Sequence, residues 1–235
     1  MKRFPRRRER PLPATCHREG DLRVIEAVVG HVERHIGPID FVFHERRSHL
    51  VRIDVHHVPP EGGRRFHTLV TCGMSQRPMT VPPGSEELAH AELFLVLPPD
   101  WDVSFVWPIE LLRQLARYPH EWETWLGCAH TVQNGEPPDR FGPDIPFCAS
   151  LITHPVSLGA DLARRKLADR SIHFYQVIPV YLEEIRFALR HGADALLARF
   201  AQYQMSDVVD TNRRNTCRFD VHSNASVPRG PTPAA

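Results

Sequence analysis

The sequence lacks the features that would mark a membrane or nucleic-acid-binding protein. It has no apolar run long enough to span a bilayer, and its formal net charge of only +1 creates no overall field that would attract nucleic acid or an anionic membrane. No apolar segment follows the basic N-terminus, so the sequence predicts no secretory signal. We therefore expect a cytoplasmic protein that does not insert into a membrane.

Closely spaced cysteines are absent too. The five cysteines are odd in number, widely separated and contain no Cys-x-x-Cys pair, which favours free thiols over a disulfide framework or a zinc site. The sequence also has no phosphate-binding loop and no dinucleotide-binding fingerprint. We expect no cofactor and no metal.

The composition is sufficient for one large folded domain. The chain has 235 residues, of which 42% are hydrophobic. Prolines and clustered arginines predict a disordered basic arm over residues 1–20, and a polar, Pro- and Ala-rich composition predicts a disordered tail over residues 206–235. The folded domain is expected over residues 21–205.

The first helix is predicted from its ends and its apolar spacing. Asp21 is a suitable N-cap, and Gly37 ends the helix after about residue 36. The spacing places His31 on the solvated face, away from the apolar stripe. The residues predicted to form that buried stripe are Leu22, Ile25, Val29, Val32 and Ile36.

The remaining pattern predicts an α/β protein in the α+β sense, with strands and helices mixed along the chain. Residues 39–46 and 49–58 predict a hairpin turning at residues 47–48. Two apolar runs, residues 66–72 and 93–97, predict buried strands on either side of a loop at residues 73–79. Further strands are expected at residues 147–153 and 171–179. Helices are expected from residue 107 until an interruption at residues 118–120, from 181 to 191, and from 193 to about 204.

A catalytic constellation is the main alternative hypothesis. Asp54 and His56 alternate onto one face of a predicted strand, and His67 and Cys72 lie on a neighbouring strand, which would suit a metal- or thiol-dependent hydrolase. Against it, Cys72 closes an apolar strand, where inert thiols are common. The segment after Cys72 begins like a nucleophile elbow, but Arg77 stands where that motif needs glycine.

Nucleic-acid binding by the basic arm is a third hypothesis. Residues 2–10 are rich in arginine but lack the interleaved aromatic side chains on which bases stack. The composition therefore disfavours nucleic acid as the partner.

Several motifs together resemble the suppressor of fused family. The longest is TLVTCGMSQRPM at residues 68–79, followed by LPPDW at 97–101 and LARYPHE at 115–121. FYQVIPVYLEE at 174–184 and HGADALL at 191–197 extend the match. In register, the resemblance covers roughly residues 21–203, and it depends on several motifs in their family order.

The resemblance implies a mixed sandwich, in which a central sheet is flanked by helices, and a protein-binding role without catalysis. The animal member grips a transcription-factor peptide between two lobes, of which this chain resembles only the first. Short members of this kind resemble bacterial proteins associated with polymorphic toxins, so the implied role is an immunity protein, or antitoxin, that neutralises a cognate toxin. The residues proposed to form its protein-binding surface are Ser75, Arg77, Trp101, Trp125 and His130.

Overall fold

The computed structural model describes residues 2–3, 20–46, 48 and 50–218. These residues form one nine-stranded mixed sheet and four α-helices, which confirms the predicted α+β class. The helices are Leu22–His35 (α1), Trp107–Glu121 (α2), Leu182–His191 (α3) and Ala193–Gln202 (α4). The strands are Lys2–Arg3 (β1), Phe41–Phe43 (β2), Asp54–Val58 (β3), His67–Cys72 (β4), His90–Leu97 (β5), Thr131–Gln133 (β6), Ala149–Thr153 (β7), Arg164–Lys166 (β8) and Ser171–Val180 (β9).

The sheet is built around a parallel pair of central strands. The strand order is β1-β6-β7-β9-β5-β4-β3-β2, and β8 also pairs with β9. The β5–β9 and β1–β6 pairs are parallel, whereas the other pairs are antiparallel. The predicted strands that bracket residues 73–79 are therefore confirmed as the antiparallel neighbours β4 and β5.

Strand β5 is apolar on both faces because each face is covered by a helix. Leu93 and Leu95 point into a core that α2 closes, whereas Phe94 and Val96 point into a core that α1 closes. All four side chains are fully buried. Such a strand reads as a continuous apolar run and not as an alternating one. A third cluster packs α3 and α4 against β7 and the end of β9.

Helix α1 has the predicted ends but a different buried face. Asp21 caps it by accepting a hydrogen bond from the Arg23 backbone N–H at 3.0 Å. Leu22, predicted to be buried, is 69% exposed, and His31, predicted to face solvent, is 5% exposed. The residues that are buried are Val24, Val28, His31 and Val32. This stripe has helical spacing as well, and it tolerates a histidine because the carbonyl of Leu162 lies 3.1 Å from Nε2.

Two other local predictions were wrong in detail. The predicted hairpin exists, but β2 and β3 pair only over Phe41↔His57 to Phe43↔Val55, so the reversal is much longer than two residues. Side chains hold this connection, since Glu45 accepts a hydrogen bond from the Ile53 backbone N–H at 2.8 Å. Helix α2 continues through the predicted interruption, because Pro119 lies in its last turns and removes only one backbone hydrogen bond.

The packed structure extends beyond the predicted domain end at residue 205. Val209 and Cys217 are buried, and the Val209 backbone N–H donates to the carbonyl of Val96 at 3.0 Å. The predicted start of the tail, residue 206, thus precedes a packed segment. Residues 219–235 of that tail lie outside the described residues, as does most of the predicted arm at residues 1–20.

One buried ion pair holds this C-terminal segment. The guanidinium of Arg213 donates to both carboxylate oxygens of Glu184 at 2.7 and 2.5 Å, and neither side chain is more than 8% exposed. The same guanidinium lies 4.8–5.4 Å from the ring centroids of Tyr181, Phe147 and Phe200. The segment is therefore bound by charge and by ring contacts, although its sequence is polar.

We expect Arg213→Ala to lower the free energy of unfolding by about 3–5 kcal/mol, because it leaves the Glu184 carboxylate buried without its cation. Arg214→Ala is the matched control, since Arg214 is exposed and a change of about 0.5 kcal/mol is expected there. Urea unfolding of both variants measures the difference. Equal losses would contradict the stabilising role of the Arg213–Glu184 ion pair.

Candidate docking surface

The loop after β4 is organised around a buried carboxylate. Glu92 is fully buried, and its Oε1 accepts hydrogen bonds from the backbone N–H groups of Gly73 and Ser75, both at 3.0 Å, and from the Ser75 hydroxyl at 2.6 Å. Its Oε2 accepts from the Thr71 hydroxyl at 2.6 Å. Burial raises the pKa of Glu92, while these donors oppose the rise. The carboxylate thus fixes a turn that would otherwise be a flexible surface loop.

Gly73 is required where this turn begins. Its φ is +136°, and a Cβ there would lie 2.0 Å from the carbonyl oxygen of Arg52. The chain can therefore enter the 3-10 turn at Met74–Gln76 only through glycine. Within that turn both Met74 and Ser75 are fully buried.

Ser75 consequently has a structural role. The sequence predicted an exposed Ser75 on a docking surface, but its side chain donates inward to Glu92. The polar residue was mistaken for a surface residue because its buried partner lies on another strand. The prediction that Ser75 is exposed is therefore wrong.

We expect Glu92→Gln to lower the free energy of unfolding by about 1–3 kcal/mol, because an amide N–H₂ would face hydrogen-bond donors. Glu87→Gln makes the same change at an exposed position before β5 and should alter the stability by less than about 0.5 kcal/mol. Chemical denaturation of both variants tests this. A Glu92→Gln variant as stable as the parent would contradict the proposed role of the carboxylate.

His120 supports the same turn from α2. Its Nε2 lies 3.1 Å from the carbonyl oxygen of Met74, to which it donates. Burial lowers the pKa of His120 from 6.5 to about 4, which the hydrogen bond to Met74 partly opposes. The folded protein therefore holds this imidazole neutral, whereas the unfolded chain binds a proton near pH 6.5.

This difference predicts an acid-dependent loss of stability. Because the pKa is lower in the folded state, the contribution of His120 is complete above pH 6.5 and is lost as the pH falls toward 4, by about 3 kcal/mol. In His120→Gln, which cannot titrate, the loss between pH 7 and pH 4 should be smaller by that amount. Urea unfolding at both pH values measures it, with the exposed His191→Gln as control. Identical pH profiles for His120→Gln and the parent would contradict the assignment.

Three of the predicted docking residues lie toward one end of the sheet. Arg77 is exposed and follows the buried turn. The backbone of Thr80 donates to the carbonyl of Thr124 at 3.0 Å, which places Trp125 beside this segment. The rings of Trp125 and His130 are in contact, with centroids 4.3 Å apart.

Trp101 lies at the opposite end of the same strands. His67, at the start of β4, pairs with Leu97 at the end of β5, whereas the 73–76 turn contacts Glu92 near the start of β5. A strand of this length separates its ends by about 20 Å. The structure therefore does not bring Trp101 together with Arg77 in one continuous surface.

Trp101 instead belongs to a cluster with two histidines. Its ring centroid lies 5.9 Å from that of His57 and 5.7 Å from that of His67. His57 Nε2 and His67 Nδ1 are 2.9 Å apart, and Asp40 lies 3.6 Å from the other nitrogen of His57. Burial lowers the pKa of His57, and the charge of Asp40 opposes this.

The four residues of the hydrolase hypothesis do not meet as that hypothesis requires. His67 contacts His57, and not the predicted His56. Asp54 is engaged by His44, Arg52 and the backbone of Glu45. Burial raises the pKa of the Cys72 thiol well above its usual value, which disfavours a nucleophilic thiolate. Among the residues that the structure describes, no three His, Cys, Asp or Glu side chains are placed to hold a metal ion.

The described cysteines support the prediction of free thiols. No disulfide links Cys72, Cys128, Cys148 and Cys217 to one another, and three of these four described residues are buried. Cys16 lies outside the described residues. In the described part of the chain, no helix combines the length and apolar character needed to cross a membrane.

Three exposed apolar residues lie close together in sequence between β5 and α2, and the sequence-based prediction did not select them. Val103, Phe105 and Val106 are 48%, 59% and 56% exposed. They lie two, four and five residues after Trp101, so the several aromatic and aliphatic residues between Pro99 and Pro108 were the available signal. We name Val103, Phe105 and Val106 the apolar loop. Clustered exposed apolar side chains mark interaction sites in soluble proteins.

The family model and the solved structures that are similar to this chain point to the same family. A family model described as suppressor of fused protein (SUFU) matches residues 49–214. No curated protein sequence matches the chain. A solved suppressor of fused homologue from Neisseria gonorrhoeae is 19% identical, with a TM-score of 0.64 over 83% of this chain and 98% of that one.

Two further solved structures are similar in fold. A structure of the Sufu–Fu complex is 14% identical, with a TM-score of 0.62 over 85% of this chain and 93% of that one. Drosophila Suppressor of Fused is 14% identical, with a TM-score of 0.59, and the match covers 86% of this chain but only 52% of that one. These likenesses establish a shared fold.

Proposed function

Because this chain belongs to the suppressor of fused family, we propose that it is a non-enzymatic protein-binding module of the cytoplasm. The observation that carries the proposal is the apolar loop, whose three residues are 48–59% exposed and lie shortly after Trp101 in the sequence. Burying such side chains against a partner contributes about 25 cal/mol per Å² of apolar area. A relative of the same fold was solved as the Sufu–Fu complex, which supports binding of a protein partner.

We further propose that the partner is a toxin, and that binding neutralises it. The support is the resemblance of this chain to short bacterial proteins associated with polymorphic toxins. An immunity protein needs no catalytic group, because occupying the surface of the toxin is sufficient. Neither a membrane nor a nucleic acid is the expected partner, since the net charge is only +1.

The first test is co-expression with the product of a neighbouring gene. A large secreted protein with a variable C-terminal domain is the expected neighbour, and its C-terminal domain should co-purify with this chain and lose its toxicity. If no such toxin domain forms a complex in a pull-down, the immunity role is wrong. If the chain binds a non-toxic protein instead, the protein-binding role stands and the toxin-neutralising role is wrong.

The binding surface is tested by a matched pair of substitutions. Phe105 and Val156 are 59% and 57% exposed on different loops. We expect Phe105→Asp to weaken partner binding at least tenfold, because it places a charge in the apolar contact, and Val156→Asp to change it less than twofold. Isothermal titration calorimetry on folded variants measures both. Equal effects, or none, would place the partner elsewhere on the domain.

Arg77→Ala tests the other predicted surface in the same assay. Arg77 is exposed, and the hydrogen bond that its side chain donates to the carbonyl of Leu50 is 3.4 Å long. A loss of affinity in this variant would extend the docking surface to the Arg77 end of the sheet. Unchanged affinity would make residues 73–79 purely architectural.

A further inference from the structure

A pocket lies between α1 and β8, far in sequence from the apolar loop. It has a volume of about 290 Å³ and is lined by Glu26, Ala27, Gly30, His31, Arg34 and Arg165. Five of these residues lie on one face of α1, and Arg165 reaches the pocket from β8. Strand β8 contacts α1 directly, so both walls belong to the packed domain.

The positive side chains of this pocket lack internal anionic partners. Neither Arg34 nor Arg165 forms an ion pair or side-chain hydrogen bond with any described residue. Arg165 Nε is buried without a hydrogen-bond partner. An unsatisfied donor is unfavourable, and a ligand that accepts hydrogen bonds from the guanidinium would offset this.

His31 forms part of the same wall. Its Nε2 donates to the carbonyl of Leu162, which fixes the ring at the base of the pocket. Both arginines are near enough to lower the pKa of His31, although burial is the larger cause. The one acidic lining residue, Glu26, lies two helical turns from Arg34, about 12 Å along the axis.

Gly30 gives the pocket an open floor. Glycine inside a helix is destabilising relative to alanine. Nothing in the fold requires glycine here, since a Cβ at this position would meet no atom within 4 Å. The missing side chain leaves the helix backbone accessible from the pocket, next to the two arginines.

From these four observations we propose that the pocket binds a small phosphate-bearing molecule, either inorganic phosphate or a phosphomonoester. Guanidinium groups recognise phosphate oxygens through paired, charge-assisted hydrogen bonds. Arg34 and Arg165 contact the phosphate oxygens, and Gly30 admits the group against the helix. Glu26 accepts a hydrogen bond from a hydroxyl or amine group in the remainder of a larger ligand.

The test is a titration of the full chain with inorganic phosphate and with glycerol phosphate at constant ionic strength, followed by NMR of the Gly30 amide. Saturable shifts are expected for the parent. Arg165→Gln should weaken binding at least tenfold, whereas Arg164→Gln, on the exposed side of the same strand, should change it less than twofold. Tighter binding of glycerol phosphate than of phosphate would identify a phosphomonoester, and the reverse order would identify the free ion.

Gly30→Ala separates binding from folding. The substitution should raise the thermal midpoint, because alanine favours the helix, and yet weaken phosphate binding at least tenfold, because its methyl group enters the pocket. Absence of saturable binding to the parent at 10 mM phosphate, on the order of a 3 kcal/mol interaction, would overturn the proposal. So would equal binding by the parent and Arg165→Gln.

Discussion

The interaction between Glu92 and the turn at Met74–Gln76 is the constraint on which the centre of the structure depends. Glu92 is the one ionisable side chain of β5 that is completely buried, and it lies between two apolar cores. Its oxygens accept four hydrogen bonds from Thr71, Gly73 and Ser75. A buried carboxylate is tolerated only when its acceptors are satisfied in this way. The conformation of the turn and the burial of Glu92 on the strand therefore depend on each other.

The consequences extend from this turn into both layers of the fold. Because Met74 is held in the core, its carbonyl faces His120 and connects the turn to α2. The side chain of Gln76 extends the other way, where its carbonyl oxygen accepts a hydrogen bond from the Asp21 backbone N–H at the start of α1, at 2.9 Å. The helices on the two faces of the sheet thus take their positions from one segment. A buried polar network that is fully satisfied specifies a unique arrangement in this manner.

The sequence was sufficient for the elements whose signals are local. The ends of α1 follow from Asp21 and Gly37, and the apolar run of β5 predicts a buried strand whatever its neighbours are. The phase of α1 was not predictable with the same certainty, because two overlapping stripes have helical spacing. The choice between them depends on the carbonyl of Leu162, which is 131 residues away from His31. Ser75 was misplaced for the same reason, since its partner lies on another strand.

The site residues were harder to predict than the fold because polar residues were judged by type and not by partner. Ser75, Glu184 and Arg213 are polar and buried, whereas Phe105 and Val103 are apolar and exposed. Whether a side chain is buried depends on whether another part of the chain provides a partner for it. Where it does, as at Glu92 and Arg213, the residue stabilises the fold.

The same criterion indicates where this fold carries its function. Relatives with 14–19% identity share the architecture, so most side chains are replaceable while the internal network of a given chain stays consistent. Residues without internal partners contribute little to that network and therefore can change with the ligand. In the described part of this chain, the apolar loop and the Arg34–Arg165 pocket are two such places. They differ in chemistry, one apolar and one cationic, so a protein partner at the first and a phosphate at the second would not compete for the same groups.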